Sequence, residues 1–349
     1  MTETSTARNE PILITGATGF VGSYLLRYLL HEGYRDLRAI RRKSSSTALL
    51  GPAADKVEWA EGDIVDPVFV EEAMSGIKKV FHCAAVVSFS PRLASQMMRT
   101  NGEGTANIVN AALYEGIDKL LHVSSIATLG GVRNGIRLSE KDTWQRSRFN
   151  TQYSISKYMA EQEVWRGMAE GLNVAIVNPS VILGSGKWGE GTALIFKKAS
   201  EGLSFFPEGA TGFVDVRDVA RFSVQLMESK IEGQRFILNA ENQTYKWLLE
   251  SICHHLGATP PSYKATPLMQ AVAWRLDWLR SRLTGKPQIL TRETIRQSSY
   301  TFSYENARSL QAFPFTYHPI EETIAATCEQ LLQARREGFA PKVLPFRDV

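Results

Sequence analysis

Short apolar runs that stop at small or charged residues alternate along the first half of the chain with stretches whose apolar positions recur every three or four residues. Pro11-Ile-Leu-Ile-Thr15 reads as a buried strand halted by glycine. Phe20, Val21, Tyr24, Leu25, Tyr28 and Leu29 then follow at helical spacing. Further strands are predicted over Leu37–Ile40, Val57–Asp63, Lys79–Cys83, Lys119–Ser124 and Val174–Asn178. Asp66-Pro67 caps one intervening helix, a second runs from about 94 to 115, and a third begins near Tyr153. Six strand-then-helix units in a row predict an α/β fold built on a doubly wound parallel sheet.

After residue 180 the rhythm breaks. Gly212–Val216 and Arg235–Asn239 read as strands returning to the main sheet, with a helix from about 218 to 228 between them. Residues 241 to 349 are mostly helical and predict a smaller lobe over the strand ends. The division expected is 11–180 plus 213–240 for dinucleotide binding, and 181–212 plus 241–349 for substrate. Within the lobe, Leu268, Met269, Val272, Leu276, Leu279 and Leu283 fall on one stripe, and Trp274 and Trp278 stand one turn apart on another side. The plain reading is core on one side and pocket cover on the other. The sharper one is an interfacial helix touching a membrane surface or an apolar partner.

Composition narrows the class. With 349 residues, 44% of them hydrophobic, the chain has ample material for a core and exceeds one average domain. A net charge of +4 from scattered basic residues gives no case for nucleic acid as partner. Three distant cysteines, Cys83, Cys253 and Cys328, point to a reducing, cytoplasmic compartment. The polar start carries no apolar signal segment, and no apolar run of ~20 residues predicts a membrane-spanning helix. His254 and His255 are adjacent and would splay apart on a helix, so no metal site is expected. Ser154-Ile-Ser-Lys157 spells S-x-x-K but lacks the accompanying K-T-G, and Gly184-Ser-Gly-Lys187 is not a Walker A loop.

The chemistry gathers at two motifs. Thr15-Gly-Ala-Thr-Gly-Phe-Val-Gly22 follows a strand and opens a helix, the context of a dinucleotide fingerprint. Gly16 permits the tight turn, Gly19 lets the backbone approach a pyrophosphate, and Gly22 allows close helix packing, with Thr18, Phe20 and Val21 between them. At the end of the second strand an NAD site would offer an acid. Arg41, Arg42 and Lys43 stand there instead, suiting the 2′-phosphate of NADP unless the loop is merely solvated. Asp63 ends the third strand where an adenine edge could be met, and Ala84 and Ala85 let the chain pass close to phosphates. Cys83 reads as a small buried residue. Tyr153 and Lys157, four apart, share a helix face, and a neighbouring cation lowers a phenol pKa from ~10 toward a usable acid or base. Ser125, at the end of the fifth strand, points into the crevice beyond the strand C-termini, or else serves as a local backbone cap.

Together these residues resemble the extended short-chain dehydrogenase/reductase superfamily, also called the NAD(P)-dependent epimerase/dehydratase family. The resemblance rests on the glycine motif, Gly62-Asp63-Ile64, His82-Cys-Ala-Ala85, Val123-Ser-Ser125, Tyr153-Ser-Ile-Ser-Lys157 and Asn178-Pro-Ser180, and runs from about Pro11 to Leu332. It implies a Rossmann sheet and a homodimer formed through the helices near 94–115 and 153–170, which carry Ile108, Ala112, Met159 and Trp165. It also implies that Ser125 hydrogen-bonds a substrate oxygen, Tyr153 exchanges a proton with it, and Lys157 holds the nicotinamide ribose. Asp63 and Ile64 would meet adenine, and Pro179, Ser180 and Val181 would line the nicotinamide. Ala39-Ile-Arg-Arg42 and Phe213–Ala220 look like the dihydroflavonol-reductase and 3β-hydroxysteroid-dehydrogenase branch. The expectation is therefore NADP(H)-dependent reduction or oxidation of a hydrophobic ketone or secondary alcohol. A nucleotide-sugar epimerase or dehydratase is the alternative, weakened by Gly209-Ala-Thr-Gly212 where that class usually shows Arg-Asp-Phe.

Overall fold

The structure, a computed structural model, describes residues 9–130, 137–147, 150–285, 288 and 290–346. Strands β1 (Ile12–Thr15), β2 (Leu37–Arg41), β3 (Glu58–Glu61), β4 (Lys79–His82), β5 (Lys119–Val123) and β6 (Val174–Pro179) lie where the apolar runs predict. β7 (Val181–Leu183), β8 (Phe205–Phe206), β9 (Ala210–Asp215), β10 (Gln234–Leu238), β11 (Glu241–Thr244) and β12 (Tyr263–Lys264) follow. The main sheet runs β10-β6-β5-β4-β1-β2-β3, and every pair in it is parallel. Strands buried on both faces need apolar residues on both. Ile12 and Ile14 face one core while Leu13 between them faces another. The fold is thus a doubly wound α/β sheet, as expected.

Three features depart from the periodicity. β9 does not return to the main sheet. The edge beside β6 is taken by β10, so β9 pairs with β7 and, antiparallel, with β11. Its alternation links two cores: Val214 packs under the main sheet, and Phe213 packs with Leu248, Ile252, Ile324 and Leu331 of the C-terminal helices. Second, the helix expected over 94–115 is interrupted. A turn at Ala94–Met97 leads into a π-helical stretch, Met98–Glu103, before regular helix resumes over Gly104–Glu115. Such bulges favour functional positions, and this one carries Asn101. Ile108 and Ala112, expected to face a second copy, are instead fully buried in this chain's own core.

The third departure is the helix Pro267–Thr284. Its leucine stripe is not core. Leu268, Val272, Leu276, Leu279 and Leu283 are all exposed, and Ser281 is its only buried residue.

Candidate active site

Thr15 ends β1 and the chain turns at Gly16, whose φ of +70° is the left-handed region that favours glycine. A Cβ on Gly16 would lie 2.6 Å from the Ala84 nitrogen, and one on Gly22 would lie 2.2 Å from the Gly16 carbonyl oxygen. No larger residue fits either place. Gly19 stands at the N-cap of the helix Phe20–His31, and no side chain caps that end, so its first N–H groups face the turn. Ala84 closes the other wall, its N–H donating to the Thr15 hydroxyl at 3.2 Å. Thr15 is also held by buried His82, which reaches Thr105 with its second nitrogen. Burial pulls the His82 imidazole down to about 3, so it is neutral.

At the ends of β2 and β3 an open cleft of about 570 Å³ is lined by Arg42, Lys43, Ser44, Glu61, Gly62 and Asp63. The two arginines separate here. Arg42 lines the cleft, whereas Arg41 reaches Glu61 at 3.5 Å and lies over the Trp59 ring, 5.1 Å from its centre. Asp63 accepts from the Val65 N–H, which tightens the turn beyond β3. The side chain of Ile64 is buried against Gly104 rather than facing the cleft.

The helix Gln152–Ala169 begins with a reciprocal cap in which the Thr151 and Ser154 hydroxyls accept from each other's N–H groups, so Tyr153 stands in the first turn. Its ring lies edge-on to Phe89, 5.8 Å between centres. The Ser125 hydroxyl accepts from the Ala127 N–H at 3.2 Å, so it is a local cap, and it lies near enough to Tyr153 to favour the ionised phenol. Burial raises the phenol above its ordinary value, and Ser125 opposes the rise. The cation does not dominate as expected: the Lys157 ammonium donates to the Val123 carbonyl at 2.9 Å and lies 3.5 Å from His122. Burial pulls this lysine down to about 8, with Glu161 opposing. Cys83 nearby is inert, its thiol pushed up to about 12 by burial.

Ser124 and Ser125 are divided by the same helix. Ser124 turns away and donates to buried Glu161 at 2.6 Å. Thr128, at 2.7 Å, and Asn178, at 2.9 Å, donate to the same oxygen, and Arg235 from β10 pairs with the other at 2.9 Å. One carboxylate therefore ties the ends of β5, β6 and β10 to the helix that carries Tyr153 and Lys157. Asn101, in the π-helical turn, does the same on the opposite flank. It accepts from the Val86 N–H at 2.7 Å and donates to the Ser156 hydroxyl at 2.9 Å. Pro179 ends β6 and Val181 opens β7, and the buried Ser180 hydroxyl between them has no hydrogen-bond partner among the described residues. Glu161, Asn101 and Arg235 escape sequence reasoning, although Glu161 repeats the four-residue step that joins Tyr153 to Lys157.

A family model described as the NAD dependent epimerase/dehydratase family matches residues 12–239. Sterol demethylase protein B of Methylococcus capsulatus is 32% identical over 277 residues, 77% of this chain and 82% of that protein. A putative dihydroflavonol 4-reductase of Synechocystis is 28% identical over 91% of this chain and 94% of its own. Among solved structures, a UDP-glucose 4-epimerase from Thermotoga maritima covers 93% of this chain and 99% of its own at a TM-score of 0.76 and 19% identity, which shows a shared fold. The chain belongs to the NAD dependent epimerase/dehydratase family, the extended short-chain dehydrogenase/reductases, and is an oxidoreductase of that family.

Proposed function

We propose that this enzyme transfers a hydride between NADP(H) and a hydrophobic ketone or secondary alcohol of sterol-like or flavonoid-like size, with Ser125, Tyr153 and Lys157 as its catalytic residues. The observation that carries the reading is the half-buried Tyr153 phenol in the first turn of its helix, one turn from fully buried Lys157 and beside Ser125. A phenol raised by burial is protonated at neutral pH, which suits it to give its proton to a carbonyl oxygen during reduction. Ser125 is free to rotate its hydroxyl toward the same oxygen and hold it. Lys157, tied to the Val123 carbonyl, supplies fixed positive charge behind the tyrosine.

The residues fit a dinucleotide. The wall of Gly16, Gly22 and Ala84 admits only backbone at the distance a pyrophosphate needs, and the uncapped helix beyond Gly19 presents N–H groups to an anion. Thr18, Phe20 and Val21 belong to that turn. The Ser180 hydroxyl, flanked by Pro179 and Val181 and without a partner among the described residues, is the kind of group a carboxamide satisfies. Arg42 and Lys43 offer the cleft two cations for a 2′-phosphate, with Arg41 engaged on Glu61, and Asp63 stands at its rim. When bound, the nicotinamide supplies or accepts the hydride at the substrate carbon. The substrate class is supported by relatives named for sterol demethylation, dihydroflavonol reduction and, in Mycobacterium tuberculosis, 3β-hydroxysteroid dehydrogenation.

The test is a coupled one. Protein as purified is expected to carry little cofactor and, given NADPH and an alicyclic or aromatic ketone, to oxidise NADPH in step with alcohol formed. Tyr153→Phe should lower kcat by roughly 10²–10⁴ with cofactor affinity nearly unchanged. Stoichiometric NAD⁺ released on acid denaturation, with interconversion of a nucleotide sugar and no net change in nicotinamide absorbance, would establish an epimerase instead.

A further inference from the structure

The helix Pro267–Thr284 spends 18 residues, ~27 Å of helix at the usual rise, on burying one serine. Leu268 is 75% exposed, Leu276 62% and Leu283 77%, with Val272, Leu279 and Met269 beside them. These six occupy an arc of about 100° when the helix is drawn in projection. Gln270, Trp274, Asp277 and Ser281, the side that leans on the protein, lie opposite. A stripe of this size left to water is unusual for a soluble domain and marks an interaction surface.

The charges beside the stripe say what covers it. Arg275 and Arg282 border one edge and Arg280 the other, against a single acid, Asp277, which Arg280 holds at 2.7 Å. Among the described residues neither Arg275 nor Arg282 has a carboxylate partner. Each packs over a tryptophan, Arg275 on Trp274 at 4.6 Å and Arg282 on Trp278 at 5.6 Å. The guanidinium groups themselves lie over these rings, and that of Arg275 also donates to the Ala271 carbonyl at 2.7 Å, so both charges are kept beside the stripe, where a phosphate could be met. Exposed Trp278 sits at the same border. A second copy presenting the same face would bring arginines against arginines, whereas an anionic lipid surface complements both the stripe and its rim. Among the described residues no helix is long and apolar enough to cross a membrane.

We infer that Pro267–Thr284 is an in-plane membrane-docking helix that lays its leucine stripe into the headgroup boundary of an anionic bilayer, with Arg275 and Arg282 on lipid phosphates. The inference does not depend on the reaction proposed above, because none of these residues belongs to the catalytic or dinucleotide site.

Cosedimentation of the full chain with vesicles tests it. The protein is expected to bind vesicles containing phosphatidylglycerol and to bind pure phosphatidylcholine vesicles much more weakly. Leu276→Glu with Leu279→Glu should abolish binding while leaving the thermal midpoint and NADPH affinity unchanged, since both side chains are exposed. Arg275→Gln with Arg282→Gln should weaken binding to anionic vesicles by roughly 25-fold, about fivefold for each basic residue. Failure of the wild-type chain to bind anionic vesicles, or equal binding by the leucine variant, overturns the inference. So does a dimer in light scattering that the leucine variant dissolves, which would assign the face to a second copy.

Discussion

Replacing Glu161 separates the roles of the buried carboxylate from those of the residues it holds. Glu161 is 1% exposed and pairs with Arg235, whose side chain is half-buried, 14% exposed. Removing one member of a buried ion pair costs about 3–5 kcal/mol, because the partner is left uncompensated. The surroundings decide where in that range Glu161→Ala falls. Arg235 keeps three other contacts, to the carbonyls of Glu140 (twice) and Asp142. Asn178 keeps the Ser125 carbonyl and the Thr128 hydroxyl, and Thr128 keeps the Ser125 carbonyl. Among the described residues, Ser124 and Trp165, whose indole N–H donates to the second Glu161 oxygen at 3.4 Å, lose their side-chain partner. The expected loss is therefore at the low end, about 3 kcal/mol. Glu161→Gln fills the same space but cannot accept on both sides, and should lose about 1.5–3 kcal/mol, the worth of a charge-assisted hydrogen bond.

Urea denaturation followed by tryptophan fluorescence measures both variants, and a cycle with Arg235→Met isolates the pair, with a coupling of about 2 kcal/mol expected. Because Glu161 sets the helix carrying Tyr153 against the strand end carrying Ser125, the glutamine variant should also lower kcat by roughly tenfold or more with KM for NADPH little changed. A loss below about 1 kcal/mol in the alanine variant, the value of an exposed pair, would refute the reasoning.

The cleft geometry predicts that Arg42→Ala weakens NADPH binding by about 1.5–3 kcal/mol and leaves NADH untouched, with Arg41→Ala costing less; nicotinamide fluorescence titration checks it, and equal NADH and NADPH affinity in the wild type would mean that the loop is only solvated. Lys157 predicts a pH effect in cofactor-free protein. Its folded pKa, about 8, lies below its ordinary 10.5, so the unfolded chain holds the extra proton between those values and stability contributed by this group rises with pH across that window. Denaturation at pH 8 and about pH 9.5 should show Lys157→Met lacking a rise of up to about 2 kcal/mol that the wild type has; parallel curves would place the ammonium in a more solvated setting.

The main sheet was legible because strands buried on both faces must be apolar throughout, and glycine must stand where backbone meets backbone; Gly16, Gly22 and the runs at 12–15 and 174–179 state this locally. The pair Tyr153 and Lys157 was legible because four residues is one helical turn. What escaped depends on distant partners. Glu161 reads as one more solvated helix charge until Ser124, Thr128, Asn178 and Arg235, from three strand ends, converge on it. Likewise nothing within Ala210–Asp215 reports that β10 has already taken the edge of the sheet. The expected effect of Lys157 on Tyr153 shifted for the same reason: a shared helix face fixes proximity, but the Val123 carbonyl decides where the ammonium points.

Two helices make the limit concrete. Val216–Glu228 and Pro267–Thr284 both carry apolar residues at helical spacing, and amphipathicity alone assigns both to the core. The first buries ten residues because it lies against the helix Phe20–His31 and under the sheet, and even Arg217 and Asp218 are enclosed there by partners of opposite charge or polarity. The second buries one, because nothing among the described residues is placed over its leucines. Periodicity reports which face a helix offers; only the rest of the molecule reports whether that face is taken. What distinguishes the two is the border: Arg275 and Arg282 beside the stripe of Pro267–Thr284 have no carboxylate partner among the described residues, whereas the charges of Val216–Glu228 nearest its core are already paired. An apolar face bordered by Arg275 and Arg282, which have no carboxylate partner among the described residues, suits an anionic cover.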